Sequence, residues 1–197
     1  MRDLLQGIRG RGQRLGRDRS GQALIEFVLP SVFLILLLFG LIDFAIAIYY
    51  RQVMINVSRE GSNIAARIGA STPAAACSTA LVTVVSSASP LMITNTDVTS
   101  RGRGRVIISA VVNNGGVYSV IAQVSQGGLS AAQAPSKLRE GVGTLALSKL
   151  PQTSPQVPAG HSTMYVTEVY YRFKTASPLG GLVGYVMTNQ LYDAAYF

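Results

Sequence analysis

QALIEFVLPSVFLILLLFGLIDFAIAIYYRQVMINVSREGSNIAARIG, residues 22–69, is the stretch on which the fold turns. From Phe27 to Ile42 it carries no charge. About 20 apolar residues span a bilayer at 1.5 Å per residue, and this run meets that length with Glu26 and Asp43 near its two ends. The two acids are about 17 residues apart, or roughly 25 Å along a helix. Beyond Ile46, apolar or small residues recur at Tyr50, Val53, Val57, Gly61, Ile64 and Ile68. Those steps of three and four mark one face of an amphipathic helix, with Gln52, Asn56, Arg59 and Asn63 between them. Gly69 and Pro73 supply a stop. The spacing therefore predicts one helix over about 22–68, the first half in lipid to about residue 50 and the second half packed on a domain outside. Pro30 removes one backbone hydrogen bond and predicts a kink in the membrane half.

Charge supports this division. The chain of 197 residues is 48% hydrophobic and only 13% charged, with a formal net charge of +8, against about 25% charged in an ordinary soluble domain. Arg2, Arg9, Arg11, Arg14, Arg17 and Arg19 crowd the first 21 residues against Asp3 and Asp18. A basic flank abutting an apolar run orients the span. Arg9, Arg11, Arg14, Arg17 and Arg19 predict a cytoplasmic N-terminus, a single membrane pass and a C-terminal domain outside. The apolar core is too long for a removable secretory signal, and Tyr49, Tyr50 and Arg51 follow it where that design requires small residues.

Three regions follow: a basic leader at 1–21, the long helix at 22–69 and an extracytoplasmic α+β domain at 70–197. In the domain, residues 73–89 read as a weaker second helix closed by Pro90, although their Thr and Val content also permits a strand. VIISAVVNN (106–114) is rich in β-branched residues, ends in the turn signal NNGG (113–116) and predicts a hairpin with VYSVIAQVSQ (117–126). Residues 127–161 read mostly as loop, with a helical turn near 130–139. STMYVTEVYYRFK (162–174) alternates as a half-buried strand, with Tyr165, Thr167, Val169, Tyr171 and Phe173 on one face and Val166, Glu168, Tyr170, Arg172 and Lys174 on the other. LYDAAYF (191–197) reads as a last short strand. The sum is an antiparallel sheet of about four strands with the amphipathic half of the long helix on one face.

Signs of catalysis are sparse, and the chain reads as no enzyme. His161, the single histidine, sits in a Pro/Gly-rich loop without acids or cysteines at ligand spacing. One histidine and no nucleophile-elbow signature weigh against a hydrolase. Cys77 has no cysteine partner and reads as a small buried residue. No metal and no cofactor are expected. RGRGR (101–105) lacks interleaved aromatics and reads as a solvated turn rather than a nucleic-acid tract. Glu168 and Arg172 read as a surface ion pair. Glu26 stands apart, because a carboxylate in a membrane span costs about 2.5–3.5 kcal/mol at the centre and wants a partner.

At SGQALIEF (20–27) the pattern becomes recognisable. A basic leader, Gly21, four residues, Glu26, an aromatic and a long apolar helix resemble the class III signal of type IV pilins and pseudopilins. The fuller run, with Gly21, Glu26, Phe27, Pro30, Gly40 and Asp43, is similar to the TadE-like family of the Tad (Flp, tight adherence) pilus system. AGHSTMYVTEVYYRF (159–173) looks like that family's strand before its C-terminal region. The resemblance implies a pilin-like fold and a minor pilin or pseudopilin, cut between Gly21 and Gln22 by a prepilin peptidase. It implies that the membrane is the inner membrane and that the C-terminal domain lies in the periplasm. It implies as partners that peptidase, other Tad minor pilins, the major pilin, the inner-membrane platform and membrane lipid, and no nucleic acid. Glu26 and Phe27 would serve subunit assembly, Glu26 by pairing with the new N-terminal amine of a neighbour. The alternative is an uncleaved, membrane-anchored scaffold that keeps its leader.

Overall fold

The computed structural model describes residues 19–69, 72–91, 93, 103–146, 149–150, 163–177 and 190–197. The leader arginines Arg9, Arg11, Arg14 and Arg17, the proline-rich stretch 151–158 and His161 lie outside them. Helix α1 runs over Arg19–Ile68, 50 residues without a break, with Pro30 inside it. Helix α2 covers Pro73–Ser87, with Pro73 at its first turn, where a missing N–H costs nothing. A 3-10 turn at Ser89–Leu91 closes it. The strands are β1 (Arg103–Asn114), β2 (Val117–Gly127), β3 (Gly143–Leu145), β4 (Thr163–Arg172) and β5 (Gln190–Tyr196). They form one five-stranded antiparallel sheet in the order β3-β2-β1-β4-β5. The fold is α+β, with one more strand than the sequence predicts. The extra one, β3, has three residues, too few to show an alternation.

The chain divides into two compact units, residues 1–42 and 43–197. In the second, α1 lies along the sheet. Its buried stripe is Asp43, Ala47, Met54, Val57, Ser58, Gly61, Ser62 and Ala65, with Tyr50, Val53 and Ile64 half-buried. Ile68, expected on this face, is 41% exposed, because the helix ends there and the Gly69 N–H closes the last turn onto the Ala65 carbonyl. α1 and β4 run in opposite directions over a shared length. The Tyr165 hydroxyl donates to the Gly69 carbonyl (2.9 Å), Thr167 abuts Gly61, and the rings of Tyr171 and Tyr50 stack at 4.5 Å. Ala176 and Ser177 donate their backbone N–H groups to Asp43. The step from 69 back to 43 is about 39 Å of helix, and that from 165 to 177 is about 40 Å of extended chain. The two elements therefore stay in step from end to end.

Gly61 is required by this packing. A Cβ there would lie 2.8 Å from Thr167 Oγ1 and 2.9 Å from its Cγ2. α2 shares the same face of the sheet through Ala76, Cys77, Ala80, Leu81 and Val84, which join Val106, Ile108 and Ala110 of β1 and Tyr165, Val169 and Tyr171 of β4 in one core. The hairpin between β1 and β2 turns at Gly115 and Gly116, whose φ angles of 61° and 91° suit glycine. Its register slips between Ala110 and Val111, leaving Ile121 as the extra residue of a bulge.

Both faces of β4 are buried, so it is a central strand and not the half-buried one its alternation suggests. The opposite face is covered by the segment 128–142. Leu129 and Ala134 pack with Ile107, Tyr170 and Tyr192, and Leu138 packs with Val111, Tyr118, Val120 and Val166. The turn expected near 130–139 is present, the N–H groups of Gln133 and Ala134 both reaching the Ser130 carbonyl. The tract at 101–105 also differs from expectation. Arg103 and Arg105 are buried residues of β1 rather than parts of a solvated turn.

Candidate functional site

The first candidate site is the start of α1. Gly21 lies within the helix's first turn, and a Cβ built on it would meet nothing within 4 Å. First-turn N–H groups have no partner inside the helix, and such turns fray readily. Gln22 donates its side-chain amide to Glu26 Oε1 at 3.0 Å, one turn on. Glu26 is exposed, and Phe27 is 74% exposed. Pro30 cannot donate to the carbonyl one turn back. Beside it, Ser31 Oγ donates to the Phe27 carbonyl at 2.7 Å, a back-bond that commonly bends helices. From Leu24 to Ile42 large apolar side chains are exposed all round the helix. A soluble helix would hide one face of these residues. Over an 18-residue window the mean hydropathy reaches 2.7, and the helix is long and apolar enough to cross a membrane.

A second site, missed in the sequence, is Asp43. Its side chain is fully buried. Oδ1 accepts the N–H groups of Ala176 (3.0 Å) and Ser177 (3.1 Å), and Oδ2 accepts the Ser177 hydroxyl. The acid thus closes a turn of backbone that leaves β4. A signal was present: Asp43 lies four residues before Ala47 and eleven before Met54, on the buried stripe.

A second tie runs from α1 to β5. Ser58 Oγ donates to Asp193 Oδ2, and Ser62 Oγ donates to the Ala195 carbonyl at 2.9 Å. These two serines flank Gly61 and hold the helix against the sheet.

On the far face Glu168 is fully buried. It accepts the Ser136 hydroxyl, the Lys137 N–H (2.8 Å) and the Tyr192 hydroxyl (3.0 Å). The expected surface pair with Arg172 is therefore absent, because Glu168 points under the 128–142 segment while Arg172 is exposed. Arg105 bonds both carboxylate oxygens of Glu140 and the Ala134 carbonyl. Partial burial acts to raise the Glu140 pKa, but the bonds from Arg105 and Ser136 and the Arg105 charge outweigh it and hold the carboxyl below its usual range. Burial first, then the charge of Glu168, push the Tyr192 and Tyr170 hydroxyls well above the usual tyrosine value. Lys137 Nζ lies 3.5 Å from the centre of the Tyr192 ring. Ser136 and Glu168 are a serine and a carboxylate in contact, but the carboxylate already accepts three donors, so the cluster is an anchor for the segment.

Among the described residues no three of His, Cys, Asp and Glu gather as a metal site. Cys77 is fully buried in α2, and burial pushes its thiol up to about 11. An open groove on α1 is lined by Asn56, Arg59, Glu60, Asn63, Ile64, Arg67 and Phe197.

These features define a class: a chain with one membrane-capable N-terminal helix whose second half is built into a helix-on-sheet domain. Residues 21–63 match the family model for TadE-like protein. Over that segment the chain is similar to the TadE-like family. Gly21, Glu26, Phe27, Pro30, Gly40 and Asp43 all lie inside the matched segment, and most of the sheet domain lies outside it. No curated protein and no solved structure matches the chain.

Proposed function

We propose that the protein is a minor pilin or pseudopilin of a Tad-type pilus, held in the inner membrane by α1 and processed by a prepilin peptidase between Gly21 and Gln22. The leader, 1–21, stays in the cytoplasm under its arginines, and the sheet domain lies in the periplasm. The observation that carries the reading is the start of α1. A glycine with open space where a Cβ would stand, among the described residues, sits in the first turn, five residues ahead of a carboxylate, Glu26, on a helix whose apolar surface is exposed all round. Cleavage creates an amine at Gln22. Glu26 of one subunit pairs with the amine of the next when helices pack in lipid, where attraction exceeds that in water although desolvation offsets much of it. A wrong axial register leaves the carboxylate unpaired, so the pair sets register. The peptidase, the other Tad pilins and the assembly platform are the partners this reading requires.

The test is intact-mass and N-terminal peptide mass spectrometry on protein purified from membranes. The expected product starts at Gln22 in cells with the peptidase and at Met1 in cells without it. Gly21→Ala touches no neighbour in the fold, so it should block processing and piliation while leaving the domain intact. Recovery of the full leader from peptidase-proficient cells would refute the processing step.

A further inference from the structure

We infer that the end of the sheet bearing Arg172 and Lys174 rests on the bilayer surface and binds the anionic headgroups of its phospholipids, with Asp43 marking the depth at which α1 leaves the hydrocarbon. The inference rests on the membrane-anchor reading and adds to it a contact between the domain and the lipid surface.

Asp43 fixes the depth. Its buried carboxylate holds the N–H groups of Ala176 and Ser177 and the Ser177 hydroxyl. Irregular backbone does not sit against lipid tails, where its unpaired groups find no water. A helix submerged past residue 43 would carry the 173–177 segment into that region. The preceding run, Gln22–Ile42, is 21 residues, about 31 Å of helix, and a hydrocarbon core is about 30 Å thick. The span is complete without residues 43–50, so the exit lies nearer Asp43 than Tyr50. In the next two turns Phe44, Ile48 and Tyr49 remain 55%, 42% and 52% exposed. Aromatic rings at that level are typical of the membrane–water interface.

Charge supplies the partner. Arg172 ends β4, and Lys174 follows in the segment tied to Asp43; both are exposed. Lys174 is three residues from Ser177, within about 10 Å of it along the chain. Arg172 stands opposite Arg103 in the β1–β4 register, so basic residues gather at this end of the sheet. Among the described residues Asp43 is occupied by the turn and Glu168 by Ser136, Lys137 and Tyr192. A basic residue beside an anionic membrane strengthens association about fivefold.

The full chain is reconstituted in vesicles of phosphatidylcholine, alone or in a three-to-one mixture with phosphatidylglycerol, each doped with a headgroup spin-labelled lipid. A fluorophore is placed at Thr175→Cys or, at the opposite end of the sheet, at Asn114→Cys; the native Cys77 is buried. Flotation of the vesicles reports insertion separately. The expected result is severalfold stronger quenching at position 175 than at 114, increased by phosphatidylglycerol and reduced to the phosphatidylcholine level by Arg172→Glu with Lys174→Glu. Lys174→Gln, which leaves an exposed site uncharged, should give part of the loss. Chains that float but show equal quenching at the two labels, or quenching indifferent to lipid charge and to the reversals, overturn this inference. Chains that do not float overturn the membrane-anchor reading instead.

Discussion

Gly61→Ala tests the closest contact between α1 and the sheet. The added methyl would stand 2.8 Å from Thr167 Oγ1, 2.9 Å from Cγ2 and 3.3 Å from Cβ, so something must move by about half an ångström to restore ordinary contact. Two effects oppose each other. Alanine is about 1 kcal/mol better than glycine in a helix interior, whereas overfilling a packed core costs about 1–3 kcal/mol. The upper part of that range applies because neither side yields. Thr167 is a β-branched residue on a central strand bonded on both edges, and Ser58 and Ser62 fasten the helix to β5 on either side of Gly61. The net expectation is a loss of about 1–2 kcal/mol. For a chain of this size that is a fall in Tm of roughly 2–8 °C, read by circular dichroism on the full chain in detergent. Thr167→Ala removes two of the three clashing atoms. It also removes a hydroxyl that is buried without a hydrogen-bond partner, so it should be nearly neutral alone. Combined with Gly61→Ala it should recover about 1 kcal/mol or more as coupling between the sites. Gly40→Ala, with nothing within 4 Å, is the control for helix propensity. A Gly61→Ala chain as stable as its parent, with effects that simply add in the double variant, would show that the helix does not approach the strand this closely.

Two further outcomes follow from acids that hold neighbouring segments. Asp43→Ala leaves two backbone N–H groups and the Ser177 hydroxyl without their acceptor, a loss of about 2–3 kcal/mol; limited proteolysis should then cut first within 173–177, and unchanged protection there would dismiss the turn. Glu140 is held below its ordinary value, so its contribution is present above the unfolded carboxylate range, about pH 4.3, and is lost as pH falls through the lower folded value. Hydrogen exchange in 130–142, corrected for intrinsic rate, should accelerate over that window in the parent, and Glu140→Gln should show the faster exchange at neutral pH and no step.

Elements with a period were legible in the sequence, and covers without one were not. The stripe on α1, the alternation of β4 and the NNGG turn each repeat a spacing that geometry imposes. The segment 128–142 has no repeat. It is held by single side chains reaching it from β1, β2, β4 and β5, among them Arg105, Gln123, Glu168 and Gln190. Its composition of Gly, Ala, Ser and Pro says only that it is loop. With that cover invisible, the outer face of β4 reads as solvated, and Glu168 reads as the partner of Arg172, four residues further along the strand on the same face. Arg103 and Arg105 were misread for the same reason: guanidinium groups are buried when carbonyls such as those of Gly128 and Ala134 arrive from a distant loop to receive them, and a local spacing carries no trace of that.

Glu26 and Asp43 differ in a way the sequence could not separate and the hydrogen bonds do. Both flank the same apolar run, and both would be costly in lipid. Asp43 has its cost met inside the chain, by three donors from one turn. Among the described residues Glu26 has one side-chain donor, Gln22, on its own helix and in the open. A carboxylate offers about four acceptor sites, and Glu26 fills one of them. On the membrane reading, then, the need for a donor from outside the chain falls on Glu26 and not on Asp43. Removing Gln22 as a donor should increase that need, whereas a change at Asp43 should act on the fold of the domain and leave the demand at Glu26 as it is.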